Sequence, residues 1–335
     1  LNVDTGEMRV EATGLNVPAA VKFDSNGILH ILDTADGKVL KVVDGELVTI
    51  ANLLTGLDNF AFNDKDEIFV SSYADGSILK VNGDKIEEIL PGGISHPGGL
   101  AVYKDNLVVA DIQSVRSFNI NSRNQDWVLR NIFRSSPLGA NTSAAILDDH
   151  ILLTSWVDNT VKILNPESGK IIKSFEGLNI PVSAAKFNDS YVVALHGNSS
   201  ISILKDDGSL DILSDEFDSP THVIPYKDGL LVSDRNRGEI IEVSSSGDTD
   251  TLISGLDSPE GIAIIDDTLF VYEGDTGEIK SIINNKMSVI AKLSAGSPAA
   301  SPMQPPSMVF NGLVAHEGYL YATDEMKRSI YKILP

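Results

Sequence analysis

Two stretches of this chain, FDSPTHVIPYKDGLLVSDRNRGEIIEV (217–243) and LDSPEGIAIIDDTLFVYEGDTGEIKSI (256–282), align almost without a gap. Where the first has Thr221-His222 the second has Glu260-Gly261. A carboxylate that the neighbouring repeat does not reproduce is not explained by turn chemistry, which makes Glu260 the first candidate for function. Asn311 stands at the equivalent position of the next repeat, and Asn59 at that of an earlier one. A carboxylate with amide oxygens is the hard donor set that Ca2+ or Mg2+ prefers. His222, His196 and Glu273 form a second, nitrogen-and-oxygen set suited to Zn2+ or to general acid–base work. Asp234 is the alternative to His222 as a base. His96, Trp156, Arg235 and Tyr73 are the candidates for contact with a substrate.

Such residues, far apart in sequence, need a scaffold to bring them together, and the scaffold is written as a repeat. An apolar run, a turn, and a second apolar run ending in a polar residue recur at 19–33, 59–72, 98–111, 143–156, 182–195, 221–234, 260–273 and 311–324. A third short run follows each copy, and a fourth follows seven of them. Runs of four to seven Val/Ile/Leu-rich residues are strands, and turn pairs such as Asp44-Gly45 and Asp207-Gly208 suit tight hairpins. A four-stranded unit repeated about every 40 residues predicts an all-β fold, a β-propeller in one domain over 1–335. The count is eight blades, or seven if one unit is degenerate. The last unit (about 308–335) lacks its fourth strand, and EMRVEAT (7–13) is expected to supply it and close the ring. The Pro-rich loop at 294–308 is a surface excursion or a lid over one face.

Antiparallel strands put the start of each first strand and the end of each second strand on one face of the disc, near the axis. Glu260, Asn311, Asn59 and Thr221 belong to the first column, and Trp156, Asp234 and Glu273 to the second. Aspartate recurs in the second column (Asp33, Asp111, Asp234, Asp324), which is the pattern of a carboxylate that caps a turn.

Composition removes several function classes. Lys+Arg 26 against Asp+Glu 47 gives a net charge of -21, which repels nucleic acid and anionic membrane. No apolar run approaches the length of a membrane span. The sequence has no Cys and no start Met. A mature, exported protein, periplasmic or extracellular, is expected, with a cytoplasmic home left open. No G-x-S-x-G, Walker A, H-E-x-x-H or dinucleotide motif is present, and no WD dipeptide ends a blade.

The units SPEGIAIIDDTLFVYE…GEI and HPGGLAV…LVVAD (96–111) resemble the NHL-repeat and gluconolactonase-like propellers, a superfamily that includes strictosidine synthase-like proteins and virginiamycin B lyase. The resemblance covers nearly the whole chain as a repeat pattern and is specific to the fold. It implies a divalent metal in the channel, with Glu260 of "PEG" as the first-strand ligand and Asn311, Asn59 and Asp234 as its companions. The lyase-like members imply His222 and Glu273 near such a metal. The expected function is metal-assisted hydrolysis of a lactone or ester, or a lyase reaction, at the top of the channel. The alternative is a non-catalytic propeller that binds a small ligand or a protein partner over its top face.

Overall fold

A computed structural model of the chain describes residues 5, 6, 8–83, 85–130, 140–296, 305 and 310–335. The eight repeats appear as eight antiparallel sheets, each pairing strands in sequence order. Among the described residues seven have four strands and the eighth has three. The hairpins follow the turn chemistry of their residues. Asp44 and Gly45, with φ of 51 and 84 degrees, are the two consecutive left-handed residues of a type I′ turn, as are Glu317 and Gly318 at 48 and 77 degrees.

The chain divides into two compact units. Unit 1, Leu1–Gly93 with Arg130–Pro137, contains the first two sheets, and unit 2, Ile94–Leu129 with Leu138–Pro335, the other six. In unit 1, Leu32, Val39, Leu57, Phe60 and Val70 bury the faces of the two sheets against each other. Its first strand, Pro18–Phe23, leaves Val21 and Phe23 60% and 67% exposed.

In unit 2 the first strands are Pro97–Tyr103, Ser143–Leu147, Pro181–Phe187, Pro220–Tyr226, Pro259–Ile265 and Leu313–His316. Apolar side chains fill the wedge between each sheet and the next. The last wedge joins the eighth sheet to the third: Tyr321 packs with Leu100, Leu107 and Val109. Thr323 Oγ1 donates to Gly98 O at 2.9 Å across the same seam and accepts from Gly312 N–H at 2.8 Å. Six sheets therefore complete a ring within unit 2. Closure comes from side-chain packing between whole sheets, so it needs no strand from the N-terminus. Residues 8–13, expected to complete the eighth sheet, form no strand, and Met8 and Val10 are exposed. The Pro-rich loop of 294–308 lies, apart from 294–296 and Pro305, outside the described residues.

Candidate functional site

The six first strands of unit 2 enclose a cavity of about 390 Å³. Its walls are small and apolar, with Ala101, Ala145, Ala185, Val223, Ala263 and Ala315 each drawn from a different strand. The signal in the sequence is alanine recurring in the middle of the first apolar run, a residue that carries no chemistry of its own. Lys104, Lys186 and His316 line the end where the first strands finish, and His222 lies toward the end where they begin.

That beginning end is nearly shut, with a gap of about 20 Å³ among Gly99, Ser143, Thr221, Glu260 and Asn311. One position further along the first strands, small residues let the strands pack. A Cβ on Gly99 would lie 2.5 Å from Ala144 N, and one on Gly312 would lie 2.5 Å from Gly98 O, so glycine lets neighbouring first strands touch. The roomy part of the channel is therefore at the opposite end from the one expected.

Several first strands begin with proline and then slip register, between Pro220 and His222 and again between Pro259 and Ile262. A β-bulge leaves a residue out of the ladder and re-aims side chains. It frees Ile262 N–H, which donates to His222 Nδ1 at 3.0 Å on the neighbouring sheet. With Nδ1 accepting, the neutral ring carries its proton on Nε2. The ring is half-buried where it borders the cavity, and the surrounding protein pushes its pKa down to about 4. His222 is thus a neutral donor for the space it lines.

Glu260 is fully buried. Its Oε2 accepts Asn311 N–H at 2.8 Å and Asn311 Nδ2–H at 2.9 Å. Its Oε1 lies against Gly274, where a Cβ would collide with it, and 3.5 Å from Arg235 Nε, too far for a hydrogen bond. Arg235 also pairs with Asp275. Burial raises the Glu260 pKa to about 7, against the opposing pull of Asn311 and Arg235. The carboxylate ties three consecutive sheets together: its own, that of Arg235 and that of Asn311.

The second-strand carboxylates hold loops. Asp234 accepts Asp218 N–H and Ser219 N–H at 2.7 and 3.0 Å, and Asp111 accepts Ser95 N–H and His96 N–H at 2.7 and 2.9 Å. The backbone they bind is chiefly the connection before their own sheet, where the sequence suggested the turn that follows. Glu273 accepts Asp257 N–H at 2.9 Å and Lys280 Nζ at 2.8 Å. His196 sits in a single 3-10 turn with Nδ1 3.3 Å from Ser219 Oγ, and burial lowers its pKa against Asp218 and Asp234. His96 Nδ1 is 2.8 Å from Ser95 Oγ. Trp156 is buried in the core with Val182, Phe217 and Phe310. Asn59 and Tyr73 belong to unit 1, where Asn59 Oδ1 accepts Phe60 N–H at 2.9 Å and Tyr73 N–H donates to Gly56 O at 3.2 Å.

These contacts decide how well a divalent ion fits the residues expected to hold one. Asn311 turns its amide donors toward Glu260, and the remaining Glu260 oxygen faces a guanidinium, whose charge opposes a cation. Asp234 is engaged by backbone N–H groups, and His222 Nδ1 by Ile262. The set does not fit a metal. Asp105, His316 and Glu317 do bring ligand atoms within 4.8 Å of one another, at the far end of the channel, with both carboxylates exposed.

No family model matches the chain, and no curated protein matches it. Among solved structures it is similar to a streptogramin B lyase, at 13% identity and a TM-score of 0.45 over 79% of this chain and 92% of that one. A selenomethionine-substituted virginiamycin B lyase from Staphylococcus aureus is similar at 16% identity and a TM-score of 0.41, covering 94% of each chain. A structural-genomics protein of unknown function from Bacteroides thetaiotaomicron gives a TM-score of 0.58 at 10% identity, over 96% of this chain and 98% of that one. The likeness is one of fold alone.

Proposed function

We propose that unit 2 is a binding module for an apolar small molecule that carries a hydrogen-bond acceptor, such as a ketone or ester oxygen. The observation that supports this reading is the axial cavity. At about 390 Å³ it is of the size small-molecule sites have, its walls are apolar, and the neutral His222 supplies a donor toward its narrow end. This favours the binding alternative of the sequence reading over metal-assisted hydrolysis or elimination, because the expected ligands are already engaged by protein donors and by Arg235.

A matched pair of probes tests it. Benzophenone and diphenylmethane differ in the carbonyl oxygen, and calorimetric titration should show benzophenone bound about fivefold more tightly, the worth of one hydrogen bond. In His222→Phe the two should bind alike, and Ala185→Trp, which fills the cavity, should weaken both. Failure of both probes to bind, or indifference to Ala185→Trp, would overturn the proposal.

A second reading rests on Glu260, whose carboxyl titrates near neutrality as a general acid–base requires. Hydrolysis of 4-nitrophenyl acetate that is lost in Glu260→Gln would favour it, and turnover unchanged by that substitution would remove it.

A further inference from the structure

The axial cavity of unit 2 carries a charge pattern that its apolar walls do not require. Its titratable lining is Lys104, Lys186, His222 and His316, and among the described residues no Asp or Glu lines it, in a chain with 47 acidic residues against 26 basic ones. Both lysines stand at the wide end, where the first strands finish. Lys104 Nζ lies 4.7 Å from the centroid of the Tyr103 ring and 3.4 Å from Glu167 Oε1, and Lys186 pairs with Asp148. Asp105 and Glu317 flank His316. All four of those carboxylates are exposed. Water screens exposed ion pairs, whereas a charge seated inside the cavity meets the lysines beside apolar protein, where screening is less. Height along the channel follows from Val223 N–H, which donates to Ser183 Oγ at 3.2 Å and so sets His222 beside Ser183. Lys186 follows Ser183 by three residues on the same strand, so it stands about 10 Å nearer the wide end than His222.

We infer that the small molecule taken by the cavity is a carboxylate, with an apolar body whose acceptor oxygen meets His222 and an anionic group that meets Lys186 and Lys104 toward the wide end. The inference deepens the proposed binding function and rests on it. A lysine stem is apolar enough to extend the wall while its ammonium reaches the oxygens of the ligand. The net charge of -21 repels anions at long range, so the lysines act by local contact. They thereby tell a carboxylate from a neutral or cationic analogue.

Calorimetric titration of the full chain with three probes of similar shape, 4-benzoylbenzoate, benzophenone and 4-benzoylbenzylammonium, tests this. 4-Benzoylbenzoate should bind at least about tenfold more tightly than benzophenone, a difference of ~1.4 kcal/mol, and the ammonium probe more weakly than benzophenone. In the double variant Lys104→Met with Lys186→Met, which keeps two unbranched apolar stems, 4-benzoylbenzoate should lose its advantage over benzophenone. Lys173→Met removes the same charge outside the cavity and should leave that advantage in place. Benzophenone bound as tightly as 4-benzoylbenzoate, or a preference for the ammonium probe, would overturn this inference and leave the apolar-cavity reading standing. So would a carboxylate preference that survives the double variant or that Lys173→Met removes equally. If neither benzophenone nor 4-benzoylbenzoate binds, both readings fall.

Discussion

Burying a carboxylate without a full set of donors raises its affinity for a proton, and Glu260 shows the consequence. Its pKa moves from 4.5 to about 7, so between those values the folded chain keeps a proton that the unfolded chain has lost. Stability from this group is therefore full below pH 4.5 and declines as pH rises toward 7, by about 3 kcal/mol in order of magnitude. Glu260→Gln cannot ionise, and urea unfolding should show the wild type losing stability relative to it across that window. A constant difference would contradict the burial argument. Glu260 was legible as exceptional because its neighbouring repeat has Thr221. Its direction was not legible, because the bulge that re-aims it is a matter of strand register and leaves no mark on residue type.

Strands and hairpins were the most readable elements, since β-branched runs and Asp-Gly turns specify them locally. Contacts between elements were less so. Gly312 lies in the first run of its unit with no chemistry to mark it, yet it lets the eighth sheet approach the third. Gly312→Ala would place a Cβ 2.5 Å from the backbone oxygen of Gly98 and should cost about 2 kcal/mol. Gly93→Ala, which meets nothing within 4 Å, should stay within about 0.5 kcal/mol. Thermal melts of the pair separate close approach from glycine's general flexibility. Asp234 illustrates the recurring element: Asp234→Ala leaves Asp218 and Ser219 N–H without their acceptor and should destabilise by about 3 kcal/mol. A loss below about 1 kcal/mol would mean that water replaces the carboxylate, and that the loop-holding role is slight.

At the scale of the molecule, counting repeats gives the number of sheets and leaves open which sheet meets which. Eight units were readable, and eight sheets are present. The seam that closes unit 2 depends on Tyr321, Thr323 and Gly98 meeting across more than two hundred residues of sequence, and no local pattern encodes it. The cavity is a product of that seam, since its wall is complete only when Leu313–His316 stands beside Pro97–Tyr103. The central claim is that this space takes an apolar ligand and offers it the proton of His222. Nitrogen-15 NMR of the imidazole tests it most directly. At pH 7 His222 should be neutral with its proton on Nε2, and benzophenone should move the Nε2 resonance while leaving Nδ1 in place. A charged ring at pH 7, or an Nε2 resonance that benzophenone does not move, would contradict it.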